Sequence, residues 1–313
     1  MTFVKITKNK AYFKRFQTKY RRRREAKTDY VQRQGLVIQD LNRYLMPKYR
    51  LVARITCTRV IAQIVYSTYA GDRVLCEVNS RELAAFGLGT GYTSFSAAYA
   101  TGLLLARRTL TNLKMADNYK GNAEINGKDY DVTAHEDPKR RPFVAVLDIG
   151  LRRPTIGNRV FAVMKGACDG GLNIPHSTKK FAGYDKEKNS FDSEAHKARI
   201  FGSHIDEYME ALKDDSDAHK KQFSKWTETL KKAGVESVED LFTKVFEAIR
   251  KNPIKAKTEK KAEKVEFKDA KKTQVISKKA KNGFYAREIR LTKDERKARV
   301  EAKIAAAKQQ LAK

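Results

Sequence analysis

The charge of this chain is gathered at its two ends, and that segregation limits what can fold. Residues 1–50 carry fifteen Lys and Arg against three acids, and residues 251–313 carry twenty-one against eight. The whole chain of 313 residues has a formal net charge of +29. The two hundred or so residues between the ends therefore hold only about +4, as an ordinary soluble domain does. Segments so rich in like charge and poor in apolar residues cannot offset their own ordering entropy by burial. The middle is expected to fold, and the ends to act as electrostatic arms that order on a polyanion.

The N-terminal arm carries the strongest functional signal. From Thr2 to Pro47 no strand or helix period is sustained, and basic residues alternate with Tyr12, Phe13, Phe16, Tyr20 and Tyr30. Arg21, Arg22, Arg23 and Arg24 are consecutive, with Lys19, Lys27, Tyr30 and Arg33 close by, and Glu25 and Asp29 cannot neutralise them all. A guanidinium pairs two phosphate oxygens at once and stacks on bases, while the rings add stacking surface. A run that is merely solvated, or that only serves nuclear import, does not need five interleaved aromatics.

From Tyr49 the pattern changes to β-branched runs. Leu51 to Thr56, Arg59 to Tyr69 and Arg73 to Val78 read as three antiparallel strands, the second turn being Gly71-Asp72. A helix capped by Thr93 or Ser94 follows, with Ala97, Ala98, Ala100 and Gly102 as a close-packing surface. Residues 117–142 read as a polar insertion with a hairpin around Asn126-Gly127. Phe143 to Ile149 is an apolar run expected to be a strand buried on both faces, and Asn158 opens a second helix that ends at Gly170-Gly171. Helical spacing recurs at Ile205–Leu212, Ala218–Lys231 and Ser237–Arg250, with caps at Ser216 and Ser237. Lys255 to Lys281 reads as a linker or RNA-laid tail, and Thr292 with Glu295 caps a basic amphipathic helix through Val300, Ile304 and Leu311. The expected domains are an arm at 1–47, an α/β core at 48–185, a helical appendage at 186–252 and a tail at 253–313.

Chemistry of other kinds finds little support. Cys57, Cys76 and Cys168 are too widely spaced for a zinc pair and are expected to be small core hydrophobes. The five histidines form no metal-ligand pair, and Gly87-Leu-Gly-Thr-Gly91 lacks the spacing of a nucleotide loop, so it reads as a turn that sets a helix angle. No catalytic residue, metal, cofactor or small-molecule substrate is expected. No apolar run approaches the ~20 residues of a membrane span. Two other classes stay open: a metal-dependent nuclease using Asp148, Asp169 and Asp185 on a layered α/β core, and a polybasic protein of anionic membrane surfaces. At the end of the buried strand, Arg152, Arg153 and Thr155 lead into the Asn158 helix start, whose amides can take a phosphate. The turn-rich Gly170 to Lys179, with a basic end, reads equally well as a loop or as an RNA contact.

Four blocks in order then carry a resemblance: Asn9 to Phe16, Arg21 to Tyr30, Ala97 to Arg108 and Gly170 to Thr178. In these the chain resembles the eukaryotic 5S-rRNA-binding proteins of the large ribosomal subunit, the universal L-eighteen family, over roughly Phe3 to Leu212. The resemblance implies a mixed-sheet, ribonuclease-H-like α/β core without catalysis, a basic N-terminal arm, and a helical C-terminal extension on RNA. It implies 5S rRNA and large-subunit rRNA as ligands, a place in the central protuberance, and a companion 5S-binding ribosomal protein and assembly factors as partners. It implies a cytoplasmic ribosome destination, with passage through nucleus and nucleolus. Carried onto this sequence, the expected RNA contacts are Lys8, Lys10, Tyr12, Phe13, Lys14, Arg15, Arg21 to Arg24 and Tyr30. Arg50, Arg54, Arg152, Asn158 and His176 follow as secondary positions, with Lys179 beside the last. Where related sequences run through several threonines after a Gly-Leu pair, this chain has Arg153, Pro154 and Ile156 and keeps only Thr155, so Arg153 is expected to substitute for the missing hydroxyls.

Overall fold

The computed structural model describes residues 5–44, 46–135, 140–254 and 291–311, with the backbone of four short strands between 265 and 284. Residues 1–255 form one compact unit and residues 256–313 a second.

The arm departs from the sequence expectation, because it contains short helices: α1 (Lys10–Arg15), α2 (Arg21–Arg24) and α3 (Tyr30–Val37), none burying a residue. Asn9 caps α1 by accepting from the Tyr12 amide at 2.8 Å, and Asp29 caps α3 from the Val31 amide at 3.1 Å. Helices of one or two turns are too short to show a hydrophobic period, and alone they are not stable in water.

The core is built on a four-stranded mixed sheet. β1 (Tyr49–Ile55), β2 (Val60–Thr68) and β3 (Gly71–Asn79) form an antiparallel meander, and β4 (Val146–Asp148) adds parallel to β1, giving the order β3-β2-β1-β4. The register pairs Leu51 with Ile64 and Ala53 with Ala62, so one face of the meander is the core. The apolar run at 143–149 yields only a three-residue strand whose first two residues are half-buried, with Val144 44% exposed. It is therefore not a strand buried on both faces, because β4 is an edge strand of the sheet.

α4 (Phe95–Asn112), capped by Ser94, and α5 (Arg159–Asp169), capped by Asn158, pack on that core face. They cross with their backbones in contact: a Cβ on Gly102 would lie 2.0 Å from the Val163 carbonyl oxygen, and one on Gly166 would lie 2.1 Å from that of Tyr99. Only glycine allows this approach, and it explains the small-residue surface of α4. The Gly87–Gly91 turn is likewise a seat for a helix, because a Cβ on Gly91 would stand 2.3 Å from the Trp226 ring.

After β5 (Tyr184–Asp185) and β6 (Ser190–Phe191) come α6 (Ser193–Phe201), α7 (Ser203–Ala211), α8 (Ser216–Ala233) and α9 (Val238–Lys251). α6 has no counterpart in the sequence reading, and the α8 cap is Asp215 rather than Ser216. Val245, Phe246 and Ile249 of α9 join the same buried cluster as the sheet and α4, with Phe246 edge-on to Tyr99 at 5.2 Å. Each such side chain stabilises by about 1.5–3 kcal/mol on burial, so α9 is part of the core. The 117–142 segment has no β-hairpin among its described residues. Asn126 makes a side-chain turn to the Lys128 amide, and Tyr119 and Val132 are buried. Of the cysteines, Cys76 and Cys168 are buried, but Cys57 is exposed in the β1–β2 turn.

His196 is fully buried among the rings of Phe95, Phe181 and Phe191, and its Nδ1 faces the Ala182 carbonyl at 3.1 Å. Burial pushes its pKa from 6.5 down to about 4, the Lys165 charge adding to the effect. Between these values the unfolded chain binds a proton that the folded protein does not, so stability falls as pH is lowered through that window. From pH 7 to pH 5 this group is expected to remove about 2 kcal/mol. Urea titrations at the two pH values should show that loss shrinking in His196→Phe; equal losses would refute it.

In the second unit, α10 (Lys293–Leu311) begins at the expected capping box, with the Thr292 amide donating to Glu295 at 3.0 Å and the Glu295 amide to Thr292 at 3.4 Å. Its Val300 and Ile304 are half exposed. Apart from strand backbones at 265–267, 274–276 and 279–280, the expected Lys255–Lys281 linker lies outside the described residues.

Candidate nucleic-acid interface

α2 consists of the four arginines alone, all exposed. Arg24 Nε donates to the Lys19 carbonyl at 3.0 Å and Arg22 Nε to the Thr28 hydroxyl at 3.1 Å, which fixes the stems of two of them. The nearby acids are used elsewhere: Glu25 pairs with Lys27 at 2.7 Å and Asp29 caps α3. Among the described residues no carboxylate pairs with Arg21, Arg22, Arg23 or Arg24, so four guanidiniums face solvent on one turn. Rings precede and follow them in the chain. Tyr20 and Tyr30 meet edge to face at 5.4 Å, and Tyr12 contacts Phe13 at 5.4 Å and Phe16 at 5.9 Å. Phe13, Phe16 and Tyr20 are more than half exposed, and Lys8, Lys10, Lys14, Arg15 and Lys19 are exposed between them.

A chain of ion pairs fixes this arm to the sheet. Arg33 on α3 donates twice to Asp72 on β3, at 2.7 and 2.8 Å. Arg50 on β1 bridges Asp72 to Asp148, meeting Asp148 at 2.8 Å, and Arg54 reaches the other Asp148 oxygen at 2.8 Å. The hydrogen bonds from Arg33 hold the Asp72 carboxyl down to about 2. Lys48 ties the end of α3 by donating to the Gly35 and Ile38 carbonyls.

The ion pairs also separate the sequence-predicted site residues into two groups. Arg50, only 6% exposed, and Arg33 and Arg54 spend their forks on carboxylates, so their first task is to position the arm. Asn158 caps α5, and His176 bridges the Ile174 carbonyl at 2.6 Å and Asp129 at 3.1 Å. By contrast, Arg153, Thr155 and Lys179 are exposed, as is Arg152, one of whose nitrogens donates to the Ile55 carbonyl.

The nuclease alternative loses its acids here. Asp148 accepts from Arg50, Arg54 and the Gly150 amide. Asp169 is buried against the Lys165 ammonium at 2.7 Å and the Tyr99 hydroxyl at 2.7 Å. Burial pushes the Asp169 carboxyl upward and the Tyr99 phenol well upward. Lys165 also donates to the Lys128 carbonyl, and Arg250 to those of Lys120 and Asn122, so buried cations hold the 117–142 segment down. Sequence reading missed Asp72 and Arg250 as organisers because their partners lie far off along the chain, and Lys165 because an i,i+4 pair with Asp169 looks like an ordinary solvated helix pair until its burial is known. Among the described residues no helix is long and apolar enough to cross a membrane.

Comparison with known proteins agrees with this arrangement. A family model described as ribosomal large subunit proteins 60S L5 and 50S L18 matches residues 14–177, and one for the ribosomal L18 C-terminal region matches residues 238–309. The large ribosomal subunit protein uL18 of Tetrahymena thermophila is 58% identical over 271 residues, covering 84% of this chain and 89% of its own. That of Theileria annulata is 49% identical over 97% of this chain and 98% of its own, and that of Eimeria tenella 47% over 97% and 96%. The chain belongs to the uL18 family of large ribosomal subunit proteins, structural components of the ribosome rather than enzymes.

Proposed function

We propose that this protein binds 5S rRNA and anchors it in the central protuberance of the large subunit, with the N-terminal arm as its principal grip. The observation that carries this reading is the α2 turn: four exposed arginines without carboxylate partners among the described residues, in an arm that also exposes Phe13, Phe16 and Tyr20. That surface suits phosphates held by guanidiniums with bases stacked beside them. Arg152, Arg153, Thr155 and Lys179 extend the contact at the carboxyl end of the sheet, and Lys8, Lys10, Lys14, Arg15, Lys19 and Lys27 along the arm.

Large-subunit rRNA, a companion 5S-binding ribosomal protein and assembly factors are the further partners of this reading. The protein meets 5S rRNA before joining the subunit, and so passes through nucleus and nucleolus. In a competition titration at fixed salt, labelled 5S rRNA should be displaced by unlabelled 5S rRNA well before an unrelated RNA of equal length. Equal displacement by both would leave a general polyanion binder and overturn the assignment.

A further inference from the structure

A large groove lies at the end of the arm, away from the arginine turn. It has a volume of about 1120 Å³, and its walls include Met46, Pro47, Tyr49, Phe143, Val144 and Pro175. Arg43, Lys48 and Arg141 stand around it against a single acid, Asp40, which lies 3.8 Å from Arg43, while the Lys48 ammonium is held by the Gly35 and Ile38 carbonyls. Tyr44 forms its lip with two unusual properties. Its backbone takes φ 44° and ψ −123°, a region that L side chains rarely occupy, and its ring is 89% exposed. A strained backbone that holds an aromatic ring out in water indicates something for the ring to meet.

We propose that this groove receives an unpaired RNA base, stacked on Tyr44, with the flanking phosphates drawn by the net positive charge of the rim, where Arg43 can exchange its exposed 3.8 Å contact with Asp40 for one of them. The inference rests on the RNA-binding reading above and deepens it. An apolar floor beside an aromatic face accepts any base without reading its edge, and a basic rim complements a polyanion. The lip lies seven residues beyond α3, across a single 3-10 turn at Leu41–Arg43, within reach of an RNA strand held along the arm. A protein segment would gain less from a rim with three cations and one acid.

The test compares the full-length protein with its Tyr44→Phe and Tyr44→Gly variants on a 5S rRNA transcript, reading affinity, base-specific chemical modification of the RNA, and the thermal midpoint of the free protein. Glycine removes the ring and also the backbone strain, so the midpoint should hold or rise while affinity falls about 5- to 150-fold. One unpaired base protected by the unaltered protein should become reactive with Tyr44→Gly and stay protected with Tyr44→Phe. Equal affinity and an equal modification pattern with Tyr44→Gly would overturn the base site while leaving the grip of the arm intact. Failure of the unaltered protein to bind the transcript would instead remove the reading on which it rests.

Discussion

Replacing Asp169 by Ala is expected to cost about 3–5 kcal/mol of stability, because it strands a charged group in the core. Lys165 is fully buried, and among the described residues its ammonium has only the Asp169 carboxylate as counter-charge, with the Lys128 carbonyl as its other partner. Tyr99 loses the acceptor for its buried hydroxyl in the same change. A double change, Lys165→Met with Asp169→Leu, removes both charges and should cost clearly less than the sum of the singles. Guanidinium unfolding of the three variants measures this. Additive losses, or a single loss below about 1 kcal/mol, would show that the pair is solvated and plays no such part.

Changing Arg21, Arg22, Arg23 and Arg24 together to Ala is expected to weaken RNA binding steeply at low salt and to flatten the dependence of log K on log salt by roughly 2–4. The estimate takes ~0.7–0.9 for each phosphate neutralised by three or four of the arginines. Four guanidiniums on one exposed turn cannot all face bases, so most meet the backbone. Preference for 5S rRNA should shrink less than affinity, since shape and stacking by Tyr12, Phe13 and Tyr30 carry the choice. An unchanged slope with lost preference would reverse this division of labour.

How far the sequence could be read follows from the range of each interaction. The three meander strands and the α4, α5 and α10 caps were legible because alternation and capping act over a few residues. The ion-pair chain was not: Arg33 meets Asp72 across 39 positions and Arg50 meets Asp148 across 98, and no local pattern signals such pairs. Hence nothing local showed that Arg50 and Arg54, expected as secondary RNA contacts, engage Asp72, Asp148 and, for Arg54, the Ala53 and Asp148 carbonyls. α6 was hidden because only His196 and Ile200 of its nine residues are buried, which gives a weak stripe. The groove beside Tyr44 was also out of reach, since its walls come from 39–49, 115, 141–146 and 175.

The order in the arm bears on its mechanism. α3 is clamped to β3 by Arg33 and Asp72, whereas α1 and α2 bury nothing and are held mainly by their own caps and turns. On the proposed reading RNA would meet an arm with a fixed root and a free grip, and the ordering cost would fall on residues 5–28 rather than on the sheet.

Hydrogen exchange of the full-length protein, free and saturated with 5S rRNA, tests the central claim most directly. Amides of α1 and α2 should exchange fast in the free protein and become strongly protected on 5S rRNA, while those of α4, α5 and α9 stay unchanged. Protection confined to the sheet or the helical layer, with α1 and α2 exchanging as fast as before, would contradict the assignment of the arm as the grip on RNA.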